Sequence, residues 1–326
     1  MKAPAFWQDR SWRARTLIPL GLLYCSVAML RRQAYRRGLF KVYRAGVPVV
    51  VVGNITVGGS GKTPLITRLV ELAREGGWRP GIVSRGYRGQ AQDWPCRVDP
   101  DSDPFQVGDE PVLLARRCRC PVAVDPDRPR AVALLLEEGD CDLILADDGL
   151  QHYRLGRDLE VAVVDGSRRL GNGLCLPAGP LREPPERLKT VDLVVVNGQA
   201  REGENAMELV GEEAVNLIDP DERRPLGDFR GRVHAVAGIG NPQRFFAYLE
   251  QQGLRIIPHP FADHHPFTPE DLHFGDGRPV LMTEKDAVKC LRGVRPQFWY
   301  LPVTARLDPE FESRLLARLD TLTYHS

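Results

Sequence analysis

The chain has 326 residues, which is more than a single core usually contains, so we expect two domains or one large domain with additions. Its formal net charge of +1 gives no argument for a nucleic-acid partner, because such a partner normally requires a strongly basic domain. Seven cysteines are scattered without a CxxC pair or a zinc-finger spacing, which favours reduced thiols and a cytosolic location.

Near the start of the chain, arginines flank an apolar run, residues 17–30, on both sides. Fourteen residues containing Pro19 and Gly21 are fewer than the roughly twenty that a membrane-spanning helix needs. A secretory signal also fits loosely, but export would carry the nucleotide-binding loop that follows to a compartment without ATP. Aromatic residues interleave with the arginines at Trp7, Trp12, Tyr24 and Tyr35. We therefore predict a helix in the membrane interface over residues 1–45, with a buried helix as the alternative.

A run of valines then leads into a glycine-rich loop. The run, residues 47–52, predicts a buried strand, and the loop reads Gly53-Asn54-Ile55-Thr56-Val57-Gly58-Gly59-Ser60-Gly61-Lys62-Thr63. Small residues let backbone N–H groups close around phosphate oxygens, while the lysine binds the β- and γ-phosphates and the hydroxyl binds Mg²⁺. Thr56 stands where the generic pattern has glycine. The loop predicts a site for ATP and Mg²⁺, with the nucleotide held by Thr56, Val57, Gly58, Gly59, Ser60, Gly61, Lys62 and Thr63.

The following elements predict an α/β fold, a P-loop NTPase-like parallel sheet domain. Continuous apolar runs alternate with helices at 64–75 and 128–138, as in a parallel sheet covered on both faces. The runs lie at 81–84, 121–124, 143–146, 159–164 and 191–196. A polar stretch, 198–228, interrupts this rhythm and predicts a domain boundary. Apolar runs and helices resume after it, so we predict a kinase domain over 46–228 and a second, smaller α/β domain over 229–326.

Two acidic pairs are candidates for metal and proton chemistry. Asp147-Asp148-Gly149 follows an apolar strand, and by itself such a sequence is more often a turn. With a phosphate loop upstream, a magnesium site beside Lys62 and Thr63 is the favoured interpretation. Gly108-Asp109-Glu110-Pro111 precedes a predicted helix at 112–117, which alone indicates only an acidic helix start.

Three further segments contain candidate site residues. Asp263-His264-His265 lacks the additional ligands of a metal site, so a general base or a histidine that tunes a carboxylate is the favoured interpretation. The segment Ser84-Arg85-Gly86-Tyr87-Arg88-Gly89 follows a predicted strand and is either an anion-binding loop or a solvated turn. Residues 177–184 are proline-rich, and a rigid loop that directs Arg182 toward phosphate would explain that stiffness.

Together, these segments resemble the tetraacyldisaccharide 4′-kinases, which phosphorylate the lipid A precursor. The resemblance covers nearly the whole chain in family order, and the family tolerates Ser or Thr at the position of Thr56. It rests on Gly53 to Pro64, Ser84-Arg85-Gly86-Tyr87, Gly108-Asp109-Glu110-Pro111, Asp147-Asp148-Gly149-Leu150-Gln151-His152, Leu176 to Glu183, Asp263-His264 and Thr283-Glu284-Lys285-Asp286-Ala287-Val288-Lys289.

The resemblance implies transfer of the ATP γ-phosphate to the 4′-hydroxyl of a lipid-linked glucosamine disaccharide 1-phosphate, at the cytoplasmic surface of the inner membrane. It implies that Asp109 takes the proton of the sugar hydroxyl with His264 paired to it, and that Arg182 neutralises the transferring phosphoryl group. Because Asp109 and His264 lie in different predicted domains, catalysis would require the domains to close.

The same resemblance assigns the remaining site residues. Lys62 would bind the β- and γ-phosphates. Thr63 and Asp147 are implied to hold Mg²⁺, and Asp148 and Glu110 are implied to support that charge network. The residues implied to grip the lipid head group are Arg85, Tyr87 and His152.

Two other classes of protein use a similar loop. Partitioning-type ATPases at the membrane surface carry a lysine just before the double glycine, where this chain has Val57. GTP-binding switches carry Asn/Thr-Lys-x-Asp after a late strand, and Thr283-Glu284-Lys285-Asp286 has those letters in the wrong register. Both alternatives lack a diagnostic residue, which favours the lipid kinase.

Overall fold

A computed structural model describes residues 4–139, 141–290 and 293–322. Contacts within these residues divide them into two compact units. The larger unit contains residues 4–209 and 305–322, and the smaller unit contains residues 210–304.

The helices and strands alternate over most of the chain. The helices are α1 (Trp12–Arg36), α2 (Lys62–Glu75), α3 (Pro104–Val107), α4 (Asp109–Cys118), α5 (Arg128–Glu137), α6 (Pro242–Gln251), α7 (Glu284–Ala287) and α8 (Pro309–Thr321). The strands are β1 (Val49–Gly53), β2 (Pro80–Ser84), β3 (Cys96–Arg97), β4 (Val122–Val124), β5 (Leu143–Asp147), β6 (Leu159–Asp165), β7 (Leu193–Asn197), β8 (Asn205–Val210), β9 (Glu213–Asn216), β10 (Arg223–Pro225), β11 (Arg232–Ala237), β12 (Arg255–Pro260), β13 (Val280–Thr283), β14 (Phe298–Leu301) and β15 (Thr304–Leu307).

The larger unit is built on a nine-stranded sheet with the order β15-β8-β7-β6-β1-β5-β2-β4-β3. The strands from β8 to β4 in that order are parallel, and β3 runs antiparallel to β4. The valines of β1 are fully buried, as expected for a central strand covered on both faces. Val52 of β1 lies opposite Asp147 of β5. The carboxyl ends of these two strands therefore meet at one edge of the sheet, where the glycine-rich loop begins.

The smaller unit has its own six-stranded sheet, in the order β10-β9-β14-β13-β11-β12. The strands β12, β11, β13 and β14 are parallel, whereas β9 and β10 are antiparallel to their neighbours. The core packed against this sheet includes Val233, Phe246, Leu281 and Trp299. A second, smaller α/β unit is thus present.

The division between the units differs from the predicted boundary at residue 228. The polar stretch 198–228 contains three strands, and β9 and β10 pair with the smaller sheet. These strands are polar because one of their faces is solvated, with Glu208 and Glu213 exposed, so the stretch lacks a continuous apolar run. The chain also returns to the larger unit through β15 and α8, where Glu312 forms a two-bond ion pair with Arg68 of α2 at 2.8 and 2.9 Å.

The helix α1 is longer than the apolar run predicted, and Pro19 lies inside it. Gly21 packs closely on the loop at 174–181, since a Cβ there would lie 3.0 Å from the Cys175 carbonyl oxygen. Most of the apolar side chains face outward, including Leu22, Leu23 and Leu30, so the alternative of a buried helix does not fit. By length and composition α1 is able to cross a membrane, although signal sequences satisfy the same criteria.

Candidate active site

The glycine-rich loop connects β1 to α2 and is held by two asparagine side chains. Asn54 Nδ2 donates to the Gly58 carbonyl oxygen at 3.1 Å, and Asn197 Nδ2 donates to the Ser60 carbonyl oxygen at 2.9 Å. Gly61 has a φ of 95°, and a Cβ there would lie 2.3 Å from Asn197 Nδ2, so only glycine fits. Lys62 begins α2, which places the backbone N–H groups of a helix start at the end of the loop, an arrangement suited to binding phosphate.

The proline-rich loop predicted to direct Arg182 runs along the glycine-rich loop. The Val57 N–H donates to the Pro180 carbonyl oxygen at 2.9 Å, and the Arg182 N–H donates to the Ile55 carbonyl oxygen at 2.7 Å. Thr56 and Leu181 form an antiparallel bridge between these two bonds. The backbone of the phosphate loop therefore fixes the position from which the Arg182 side chain extends.

Asp147 lies at the end of β5 and is 1% exposed. Its Oδ2 accepts a hydrogen bond from Ser84 Oγ at 3.2 Å, whereas its Oδ1 is buried and has no hydrogen-bond partner among the residues that the structure describes. Burial, and then the negative charge of Glu110, raise the pKa of Asp147 to about 7, against the opposing effect of Lys62. A buried carboxylate oxygen that lacks a donor is an energetic cost that a bound cation removes.

Asp148 has the opposite electrostatic environment although it is the next residue. Its carboxylate lies 3.5 Å from Lys62 Nζ and accepts hydrogen bonds from Arg182 Nη1 at 2.9 and 3.1 Å. Burial would raise the pKa of Asp148, but the two cations outweigh burial and hold it well below its usual range. Asp148 therefore stays ionised and links the two cations predicted to bind phosphate. Its φ of 45° is a left-handed conformation that the surrounding contacts must maintain.

Arg128 belongs to this site and was not predicted from the sequence. It begins α5, is 4% exposed, and its Nη2 donates to the carbonyl oxygens of Asp147 and Asp148 at 2.9 and 2.8 Å. Burial lowers the pKa of Arg128, and the carboxylates of the two aspartates oppose that effect. A cation in the first turn of a helix is unfavourable for the helix dipole, and this was the available signal that Arg128 serves another purpose.

The donor set fits Mg²⁺ bound together with a nucleotide. No group of three or more His, Cys, Asp or Glu side chains within the described ranges is arranged to hold a metal ion by itself. Mg²⁺ bound with ATP needs fewer protein ligands, because it retains waters and takes phosphate oxygens as ligands. Asp147 Oδ1 and the hydroxyl of Thr63, in the first turn of α2, are suitable ligands, with Asp148 and Glu110 as further negative charges.

Asp109 and Glu110 form the start of α4, after Gly108 with a φ of 96°. Asp109 is 7% exposed, and its Oδ1 accepts the Glu110 N–H at 2.9 Å. Glu110 raises the pKa of Asp147, so Glu110 lies within the electrostatic environment of that carboxylate. The larger unit therefore contains both acidic pairs and the two cations, Lys62 and Arg182.

The three residues implied to grip the lipid head group lie in two environments. Arg85 and Tyr87 are exposed in the loop after β2. The imidazole of His152 is mostly buried, and burial followed by the charges of Arg128 and Arg157 lowers its pKa to about 3. Asp127, 3.9 Å away, does not offset these effects. His152 is therefore neutral near pH 7 and can contribute hydrogen bonds but no charge.

His264 lies in the smaller unit, after β12. Its φ is 60°, its N–H donates to the Gly238 carbonyl oxygen at 3.1 Å, and its Nε2 lies 3.8 Å from Asp263 Oδ1. The predicted acid–base residue therefore has a specific backbone conformation within its own unit.

Comparison with known proteins identifies the family. The model of the tetraacyldisaccharide-1-P 4′-kinase family matches residues 13–320. The chain belongs to this family. A tetraacyldisaccharide 4′-kinase from Alkalilimnicola ehrlichii is 56% identical, over 98% of this chain and 98% of the relative. Another from Nitrosococcus oceani is 52% identical, over 96% of this chain and 93% of the relative.

A solved structure supports the same assignment. The crystal structure of LpxK from Aquifex aeolicus in complex with ATP has a TM-score of 0.79 and 28% sequence identity, over 95% of this chain and 99% of that one. The predicted family and the predicted α/β, P-loop NTPase-like fold are confirmed. Membership in a kinase family also favours phosphoryl transfer over the two switch alternatives.

Proposed function

We propose that this protein transfers the γ-phosphate of ATP to the 4′-hydroxyl of a tetraacyldisaccharide 1-phosphate, a step in lipid A biosynthesis. The observation that carries the proposal is the network of Lys62, Asp148 and Arg182 beside the buried Asp147, at the end of a glycine-rich loop. The names of the relatives and the ATP bound to the Aquifex aeolicus protein support the choice of acceptor and donor.

In the proposed site, the residues at the sheet edge bind and polarise the triphosphate. Lys62 and the backbone N–H groups of the loop bind the β- and γ-phosphates, and Arg182 neutralises charge on the transferring group. Asp148 forms ion pairs with both cations and so holds them near one another. Thr63 and Asp147 would hold Mg²⁺, which supplies positive charge to the phosphate oxygens when bound.

Asp109 is proposed to take the proton of the sugar hydroxyl, with His264 paired to it. The burial of Asp109 and the proximity of Glu110 to the charge network support this role, since a general base must lie beside the transferred group. Asp109 and His264 belong to different units, so the proposed pair would form across the two units during turnover.

The acceptor is proposed to be reached at the cytoplasmic face of the inner membrane. The outward-facing apolar side chains of α1 and the arginines around them support association with a lipid surface. Arg85, Tyr87 and His152 are the proposed contacts to the lipid head group, with Arg85 supplying charge and His152 hydrogen bonds.

A transfer assay tests the proposed reaction. Purified protein with detergent-dispersed disaccharide 1-phosphate and Mg·ATP should yield a lipid product with one added phosphate, measured by mass spectrometry and by label from γ-labelled ATP. Lys62→Met, which removes the charge that binds the triphosphate, should abolish the product. If ATP is hydrolysed while the mass of the lipid stays unchanged, the proposal is wrong.

The membrane interaction is tested on the outer face of α1. Deleting the helix would uncover the core at Gly21, so we choose the triple variant Leu22→Gln, Leu23→Gln and Leu30→Gln. Burial of each exposed leucine side chain in the lipid would stabilise membrane binding by about 1.5–3 kcal/mol. Binding of the triple variant to anionic liposomes should therefore fall by at least roughly tenfold in a sedimentation assay. Ile218→Gln, at an exposed site of the smaller unit, is the control. Unchanged sedimentation of the triple variant would exclude the proposed contact.

A further inference from the structure

The segment Thr283-Glu284-Lys285-Asp286-Ala287-Val288-Lys289 contributes to the family resemblance, yet no role follows from the phosphate chemistry. It lies in the smaller unit, where Thr283 ends β13 and α7 follows. Asp286 is completely buried and Lys289 is 5% exposed. A buried, charged pair next to a short helix needs a physical explanation, because apolar residues of the same size would be at least as stabilising.

Asp286 binds three groups with its two carboxylate oxygens. Its Oδ2 accepts the Gly238 N–H at 2.9 Å and the Thr283 hydroxyl at 2.6 Å. Its Oδ1 lies 2.7 Å from Lys289 Nζ, and that ammonium also lies over the ring of Phe267 at 4.9 Å. Lys289 compensates the buried charge of Asp286, and the hydrogen bonds from the Thr283 hydroxyl and the Gly238 N–H hold Oδ2 at the backbone of Gly238.

Gly238 connects this carboxylate to the loop that contains His264. Its N–H is held by Asp286, and its carbonyl oxygen accepts the His264 N–H at 3.1 Å. A Cβ at Gly238 would lie 3.0 Å from Asp286 Oδ1 and 3.3 Å from the Ala262 carbonyl oxygen. The close approach of these groups therefore favours a residue without a side chain at this position. His264 has a φ of 60°, a strained conformation for a residue other than glycine that persists only when its surroundings impose it.

The segment also reaches the loop through a side chain. Lys285 Nζ lies 3.9 Å from Asp263 Oδ1, and the same oxygen lies 3.8 Å from His264 Nε2. The segment therefore approaches His264 from two directions, through the backbone of Gly238 and through the carboxylate of Asp263.

We propose that the buried Lys289–Asp286 pair is a positioning device that acts through Gly238 to hold His264 in the conformation needed for proton transfer. The inference rests on the proposed role of His264. Asp286 and Lys289 are positioning residues, since the argument places their effect entirely on His264.

Two paired variants separate positioning from stability. Asp286→Ala with Lys289→Met removes the acceptor for Gly238 without leaving an unpaired buried charge. Asp286→Asn with Lys289→Met also removes both charges but retains a side-chain oxygen that can accept the Gly238 N–H. We expect the first variant to lower kcat by roughly tenfold to a hundredfold, as for a misplaced catalytic group, while the second stays within about threefold of wild type. The KM for ATP should change in neither, because the nucleotide site lies in the larger unit.

A cycle with His264→Ala decides the interpretation. If the device acts through His264, Asp286→Ala with Lys289→Met should cost nothing further in the His264→Ala background. Amide exchange at His264 should accelerate in the Ala–Met variant and not in the Asn–Met variant. Equal losses of kcat in both backgrounds, or equal exchange rates in the two paired variants, would overturn the inference. A His264→Ala enzyme with wild-type kcat would instead refute the proposed role of His264, and the two failures are therefore distinguishable.

Discussion

Asp109→Asn is expected to lower kcat by about 10²–10⁴-fold while ATP affinity changes little, because an amide cannot take the proton of the sugar hydroxyl. The substitution is nearly isosteric, and an amide oxygen can still accept the Glu110 N–H that Asp109 Oδ1 accepts at 2.9 Å. The start of α4 should therefore survive, and the loss should fall on the chemical step. Steady-state transfer kinetics and a separate measurement of ATP binding give the two quantities.

The matched control for this substitution is Asp142→Asn. Asp142 is also an aspartate beside the parallel sheet of the larger unit, but it pairs with the exposed Arg79 at the opposite end of β5 from Asp147. Its replacement should leave kcat unchanged. If Asp109→Asn weakens ATP binding as much as it slows transfer, Asp109 supports the nucleotide or the metal ion instead of abstracting a proton.

Local patterns predicted the parts of the site that lie in one stretch of chain. A run of β-branched residues predicted the buried strand β1, because a central parallel strand has no solvated face. Two carboxylates directly after a second apolar run predicted an acidic edge beside Lys62, because parallel strands end at the same edge of a sheet. Both inferences need only the pattern of apolar residues along the chain and the direction in which parallel strands run.

The contacts of Arg128 and Asn197 could not be predicted in this way. Both side chains bind backbone carbonyl oxygens of segments distant in sequence, at Asp147 and Ser60 respectively, and any residue type offers such an oxygen. Their contacts depend on the order in which the strands are arranged in the sheet, which local periodicity does not contain. The boundary at residue 228 differed for a related reason, since strands with one solvated face resemble linkers in composition.

The two adjacent aspartates show a further limit of the sequence. Asp147 is buried, one of its oxygens has no hydrogen-bond partner within the described part of the chain, and its pKa is raised. Asp148 faces Lys62 and Arg182, and its pKa is lowered. From the sequence, the resemblance implied that Asp147 holds Mg²⁺ and that Asp148 supports the same charge network, but local patterns gave no physical reason for this difference. Among the described residues, the ion pairs with Lys62 and Arg182 are made by Asp148, so Asp147 is the better candidate to bind Mg²⁺ directly.

Arg182→Ala is expected to lower kcat by about 10³-fold or more, the range that an arginine on a transferring phosphoryl group contributes. Arg182→Lys should recover only part of this loss, because an ammonium cannot reproduce the planar fork of a guanidinium. Arg79→Ala, which removes an exposed arginine that also pairs with an aspartate, should have no effect on kcat. Transfer kinetics with saturating ATP provide the measurement, and full activity of Arg182→Lys would contradict a role that depends on guanidinium geometry.

A second variant decides whether Arg182 acts on the phosphate or only holds Asp148 in place. Asp148→Asn removes the negative charge that the Arg182 guanidinium contacts at 2.9 and 3.1 Å. If Arg182 served only as an anchor for that carboxylate, Arg182→Ala would cost nothing more in the Asp148→Asn background. Two backbone hydrogen bonds, from Arg182 to Ile55 and from Val57 to Pro180, fix the loop independently of Asp148. We therefore expect Arg182→Ala to cause a large further loss of kcat in that background. That result would assign the effect of Arg182 to the transferring group.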